Sequence, residues 1–208
     1  MLTALSRYQP ESYPSVRMIP HHNRSVQAVS VTGVVALKNM MYDEQPQTDV
    51  KQAIVAARGV AVLCAAMRAH ASSEMMATQC VWILFFVAAN DQRAKSQCIN
   101  HGAPVILAEA VSAYPGNVDL VSHAIGAVRN ICAGDSEVCI ERKRACIRAG
   151  LLPLVLRGMR QHLRDEDTQE YGLSALVNLI SRHTSEVWLR RRGLNPHAHP
   201  PLSRLTQF

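Results

Sequence analysis

Two interleaved markers, each returning every 43 to 48 residues, constrain this chain more than any other feature. The first sits late in four apolar segments: VVALKNMM (34–41), VWILFFVA (81–88), GAVRNICA (126–133) and SALVNLIS (174–181). They align on Asn39, Phe86, Asn130 and Asn178, at spacings of 47, 44 and 48. The second marker is a glycine that closes a short helical segment, at Gly59, Gly102, Gly150 and Gly193, in steps of 43, 48 and 43. Each of the first three glycines precedes the next marker by 27, 28 and 28 residues. Self-similarity at such a period signals units that cannot bury their apolar faces alone and stack to share a core.

Each unit reads as three helices. A short first helix ends at the glycine, which supplies a C-terminal turn. A second helix follows, as in VAVLCAAMRAH or LPLVLRGMRQH, with Pro104 and Pro153 near the start, where a missing N–H costs little. The linkers ASSE, YPGN and RDED offer N-caps for a third, longer helix. That helix is apolar nearly all round, so it packs on several sides. A polar side chain inside it is costly unless bonded, and Asn130 in SHAIGAVRNICAGD poses that question most sharply.

The pattern resembles the armadillo repeat, most closely in INHGAPVILAEAVSAYPGNVDLVSHAIGAVRNICAGD and IRAGLLPLVLRGMRQHLRDEDTQEYGLSALVNLI. The likeness spans residues 26–193 and implies an all-α, right-handed α-solenoid of three-helix repeats. The expected organisation is a flexible tail over 1–24, a repeat domain over 25–193 with about three full repeats plus partial ends, and a Pro-rich tail over 194–208. In importin-alpha and beta-catenin the third helices line a concave groove where an Asn ladder grips an extended peptide. On that likeness Asn39, Asn130 and Asn178 face a partner; the alternative is that each bonds only to the backbone of the neighbouring repeat. Trp82, Phe86, Arg129, Ser174 and Arg182 fall on or beside the same groove line.

This chain departs from the importin-like pattern. The position one turn before the marker is Val35, Trp82, Gly126 and Ser174, so Trp occurs once, and there the marker itself is Phe86. Lys38 and Arg129 stand where a basic signal would need carboxylates. An acidic or apolar extended segment, or a helix, suits such a face better. The expected function is a non-catalytic adaptor or scaffold that binds a partner protein. The alternatives are RNA binding through a basic convex face carrying Arg157, Arg160 and Arg164, and importin-like recognition of nuclear signals.

Composition agrees with an interaction module. Hydrophobic residues make up 48% of the 208 and aromatic ones only 5%, and the net charge of +6 is mild. A further basic cluster, Arg142, Lys143, Arg144 and Arg148, alternates with Glu137 and Glu141. The six cysteines (Cys64, Cys80, Cys98, Cys132, Cys139 and Cys146) lie in apolar segments without a C-x-x-C pair and read as reduced, buried residues of an intracellular protein. No P-loop, G-x-S-x-G, H-E-x-x-H or G-x-G-x-x-G motif occurs, so neither an enzyme nor a cofactor is expected. His197 and His199 sit in a Pro-rich stretch unsuited to an ordered metal site. The longest apolar run, CVWILFFVAA, has ten residues and is too short to span a membrane. The expected location is the cytoplasm or the nucleus, with self-association through uncapped repeat ends as a further expectation.

Overall fold

The computed structural model describes residues 31–41 and 47–181. These residues form ten α-helices and no strand. The helices are α1 (Val31–Met41), α2 (Gln47–Ala56), α3 (Gly59–Ala69), α4 (Glu74–Ala88), α5 (Gln92–Asn100), α6 (Ala103–Ala113), α7 (Val118–Ile131), α8 (Glu137–Arg148), α9 (Leu151–Gln161) and α10 (Glu166–Ile180). From α2 onward, two helices of 9 to 12 residues are followed each time by one of 14 or 15.

Local chemistry explains the starts. The long helices begin after Ser73, Asn117 and Asp165, whose side chains accept from the N–H groups of Met76, Leu120 and Thr168. These caps come from the ASSE, YPGN and RDED linkers, and each satisfies one orphan donor of the first turn. Asp91 and Ser136 do the same for α5 and α8.

The turn between the first and second helix of each unit corrects the expected register. The left-handed residues are Arg58 (φ 59°), Gly102 (φ 73°) and Gly150 (φ 79°). Gly59 is not the turn residue. It opens α3 at a tight approach, where a Cβ would fall 2.5 Å from Ile54 Cγ2. With Arg58 in place of Gly59, turn and marker are separated by 28 residues in all three units.

The core runs through the long helices. α7 makes its most extensive contacts with α4 on one side and α10 on the other. Leu120, Ile125 and Ile131 of α7 are fully buried, each contributing about 2 kcal/mol of apolar burial. α1 buries Val34, Leu37 and Met41 against the same core. α10, the last described helix, differs: Leu173, Val177 and Ile180 are 61%, 62% and 48% exposed. The residues 48 positions earlier include Ile125 and Cys132, both fully buried.

Two members of the expected basic cluster are not surface charges. Arg142 and Lys143 are buried, because the face of α8 that carries them packs towards α5 and the end of α10. All six cysteines are free and buried.

Candidate functional site

The three long helices meet side by side, and their C-terminal turns explain Asn130. At the end of α4 the chain turns to extended at Ala89, whose N–H bonds the carbonyl of Phe86 rather than that of Phe85. Phe85 is left with an orphan carbonyl, as helix ends require. Asn130 Nδ2 donates to it at 2.9 Å. α7 ends in the same way: Ala133 N–H bonds the Asn130 carbonyl, and Asn178 Nδ2 donates to the Arg129 carbonyl at 2.9 Å. Each Asn therefore closes the last turn of the preceding long helix. This is the neighbouring-backbone arrangement, and it commits one amide N–H of each side chain. Asn130 Oδ1 accepts from Arg129 Nε at 3.3 Å.

An aromatic bridge crosses α7 at the smallest residue available. A Cβ on Gly126 would lie 2.8 Å from the Phe85 ring and 3.1 Å from that of Tyr171. With only hydrogen there, Phe85 of α4 and Tyr171 of α10 meet at 5.5 Å between centroids. The Arg129 guanidinium lies 4.5 Å from the Tyr171 centroid and 5.8 Å from that of Phe85, in the range of cation–π attraction. Its ion pair with exposed Glu170, at 3.8 Å, is weak by comparison with a buried one. His123 completes the cluster edge-on to Phe85 at 5.5 Å. Burial raises the Tyr171 hydroxyl above its usual range, with Asp167 adding to the effect.

Nearer α1, Trp82 and Phe86 stack at 5.1 Å with 17° between planes. Lys38 of α1 lies 5.3 Å from the Trp82 centroid and Lys51 of α2 5.5 Å from that of Phe86. Phe86 has no amide to cap a neighbour. Lys51 instead donates to the Ala89 carbonyl at 2.8 Å, at the end of α4 itself. Burial lowers the Lys51 ammonium below its ordinary range, and Asp91 opposes the shift.

Two surface depressions follow. One, about 540 Å³, is lined by Arg129, Asn130, Ala133, Leu173, Ser174, Val177 and Asn178. The other, about 450 Å³, holds Lys51, Phe85, Phe86 and Asp91. Four expected groove residues, Arg129, Asn130, Ser174 and Asn178, thus share one depression, and Trp82 and Phe86 pair with each other around α4. Asn39 is exposed on α1, and Arg182 lies outside the described residues. Sequence reasoning passed over Phe85 and Lys51. Phe85 sits one position before the marker, and the chain offered Phe86 as the more regular match.

On the second helix of the last unit, Arg157 and Arg160 are exposed, and Arg157 donates to Ser112 at 3.4 Å. Among the described residues no three His, Cys, Asp or Glu side chains are placed to hold a metal ion, and no single helix is long and apolar enough to cross a membrane. Comparison with family models, with curated proteins and with solved structures found no match.

Proposed function

We propose that the chain is an armadillo-type α-solenoid that acts as a non-catalytic adaptor, holding a segment of a partner protein against the face formed by α4, α7 and α10. The observation that carries this reading is the 540 Å³ depression, where Leu173 and Val177 lie open beside Arg129, Asn130, Ser174 and Asn178. Exposed apolar side chains next to fixed polar groups characterise recognition patches. The constant 28-residue interval between turn and marker supports the repeat assignment. Since one N–H of each Asn is already bonded, the grip on a partner backbone falls to the second N–H, to Asn178 Oδ1 and to the Ser174 hydroxyl. Lys38, Lys51 and Arg129 favour an acidic or apolar segment over a basic one.

The test is selection of binders from a displayed random-peptide library, followed by titration of enriched peptides against variants. Val177→Asp, at an exposed position, should weaken binding by about tenfold or more. The triple variant Arg157→Glu, Arg160→Glu, Arg164→Glu should bind as the wild type does. Peptide binding indifferent to Val177→Asp would overturn the site. RNA binding with a steep salt dependence, lost from the arginine triple, would transfer the function to the opposite face.

A further inference from the structure

The junction of α5 and α8 holds three buried cations. Lys95, Arg142 and Lys143 are 4%, 3% and 1% exposed. Lys143 is provided for: it donates to Ser181 Oγ at 2.7 Å and lies 3.5 Å from the Asp135 carboxylate. The other two have no carboxylate within ion-pair distance among the described residues. Arg142 donates to Gln92 Oε1 at 2.7 Å, to Ser96 Oγ at 3.5 Å and to Cys139 Sγ at 3.0 Å, and its Nε is buried with no partner. The Lys95 backbone N–H bonds the Asp91 carbonyl at 3.1 Å, while its ammonium makes no hydrogen bond with the described residues. The charged or ionisable groups acting on it are Arg142, Cys139, Asp91 and Cys132, with Asp91 beyond ion-pair distance. A buried guanidinium without a carboxylate is costly, and the ionisable group that Arg142 bonds is the Cys139 sulfur.

That sulfur is placed to carry negative charge. Cys139 lies in the first turn of the twelve-residue α8, where the helix dipole favours an anion. Its Sγ is 3.1 Å from Ser136 Oγ, besides the bond from Arg142. Burial pushes the Cys139 thiol up, but the bonds from Ser136 and the charge and bond of Arg142 outweigh it and leave the thiol below its ordinary range. Elsewhere the direction is opposite: burial pushes Cys64 up to about 11 and raises Cys80 and Cys98, while a bond with Cys132 and burial raise Cys146. Over the sulfur runs the exposed stretch 134–138, in which Gly134 (φ 112°) comes so close that a Cβ would lie 2.7 Å from Sγ. Cys139 is itself 3% exposed, so its sulfur lies under this stretch and is screened from a large reactant.

We propose that Cys139 is a reactive thiolate that small hydroperoxides oxidise, with Arg142 and Ser136 as the groups that hold its charge. The sulfur lone pair attacks one peroxide oxygen. An S–O bond forms, the O–O bond breaks, and its electron pair leaves on the second oxygen as hydroxide or alkoxide, which takes a proton from solvent. Sulfur is oxidised by two electrons to the sulfenic acid, and the peroxide is reduced to water or an alcohol.

The experiment exposes the full folded chain to hydrogen peroxide with a sulfenic-acid trap and maps the adduct by peptide mass spectrometry. Cys139 should be trapped at least tenfold faster than Cys64, Cys80, Cys98 or Cys146, and Cys139→Ser should abolish the fast phase. Arg142→Gln, checked by circular dichroism, should slow it at least fivefold. The pH profile of Cys139 alkylation by iodoacetamide serves as a second measurement in the wild type, independent of how that variant folds. Its midpoint should lie below that of the denatured chain. Equal rates at Cys139 and the other cysteines, or a midpoint at or above the denatured value, would overturn the proposal. An unchanged rate in folded Arg142→Gln would overturn the role of the guanidinium.

Discussion

Asn178 closes the last turn of α7 by donating to the carbonyl of Arg129 at 2.9 Å, and one unit earlier Asn130 does the same for Phe85 at the end of α4. The two bonds tie adjacent long helices at the point where each helix runs out of its own donors.

Removing the donor should therefore destabilise the chain without touching any apolar contact. Asn130→Ala strands a carbonyl in a buried position and should cost about 1–3 kcal/mol in urea unfolding. Asn178→Ala, at a half-buried position, should cost about 1 kcal/mol. Asn130→Asp should be no better than Ala, since a carboxylate cannot donate to a carbonyl. Variants indistinguishable from wild type would show that the caps are dispensable.

Gly126→Ala places a methyl group against two rings. The Phe85 carbons are 2.8 Å from the Cβ position and belong to a packed ring with little room to retreat. A loss of about 1–3 kcal/mol is expected. The same variant should also loosen Arg129, readable as faster exchange of its side-chain N–H signals. A variant as stable as the wild type would mean that the aromatic bridge moves freely.

The left-handed turns give a pair of opposite signs. At Gly150 an added Cβ meets nothing within 4 Å, so Gly150→Ala isolates the backbone penalty of φ 79° at about 1 kcal/mol. Arg58 already bears that penalty at φ 59°, and Arg58→Gly should stabilise by up to about 1 kcal/mol. Thermal melts of both variants check this; shifts of the same sign would refute it.

Alkali should weaken the fold before it damages the chain. Burial raises Cys64 to about 11, with the charge of Arg68 pulling the other way, and raises Cys80 and Cys98 as well. Folding thus keeps protons that the unfolded chain releases in the ordinary thiol range. Stability is full below that range and falls as pH climbs through it towards 11, at about 1.4 kcal/mol per pH unit for each such thiol. Urea midpoints under reducing conditions at pH 7 to 10 should decline, most steeply at the top. A flat profile would contradict the assignment.

The helical period and the N-caps were legible because Ser73, Asn117 and Asp165 act on their own first turns. Long-range relationships were not. Gly59 looked like a turn residue because glycine is the usual choice there, yet Arg58 takes the left-handed conformation while Gly59 makes room for Ile54. Arg142 and Lys143 read only as members of a basic cluster, since nothing local reveals that Gln92 and Ser181, 50 and 38 residues away, receive them. Phe85 escaped notice because its role depends on Gly126 and Tyr171, which only packing brings to it. The Asn markers were found by their spacing, but whether such an amide serves a partner or a neighbouring helix is decided by one carbonyl in another unit.

The meeting of Phe85 and Tyr171 above Gly126 joins α4 to α10, two helices separated by a third. A row of elements coupled only to adjacent ones melts piecemeal and bends at any joint. A link that skips an element makes three respond as one. Loss of α10 should consequently be felt at α4, and the row should resist flexing at α7 as a plank nailed at both ends resists hinging at its middle.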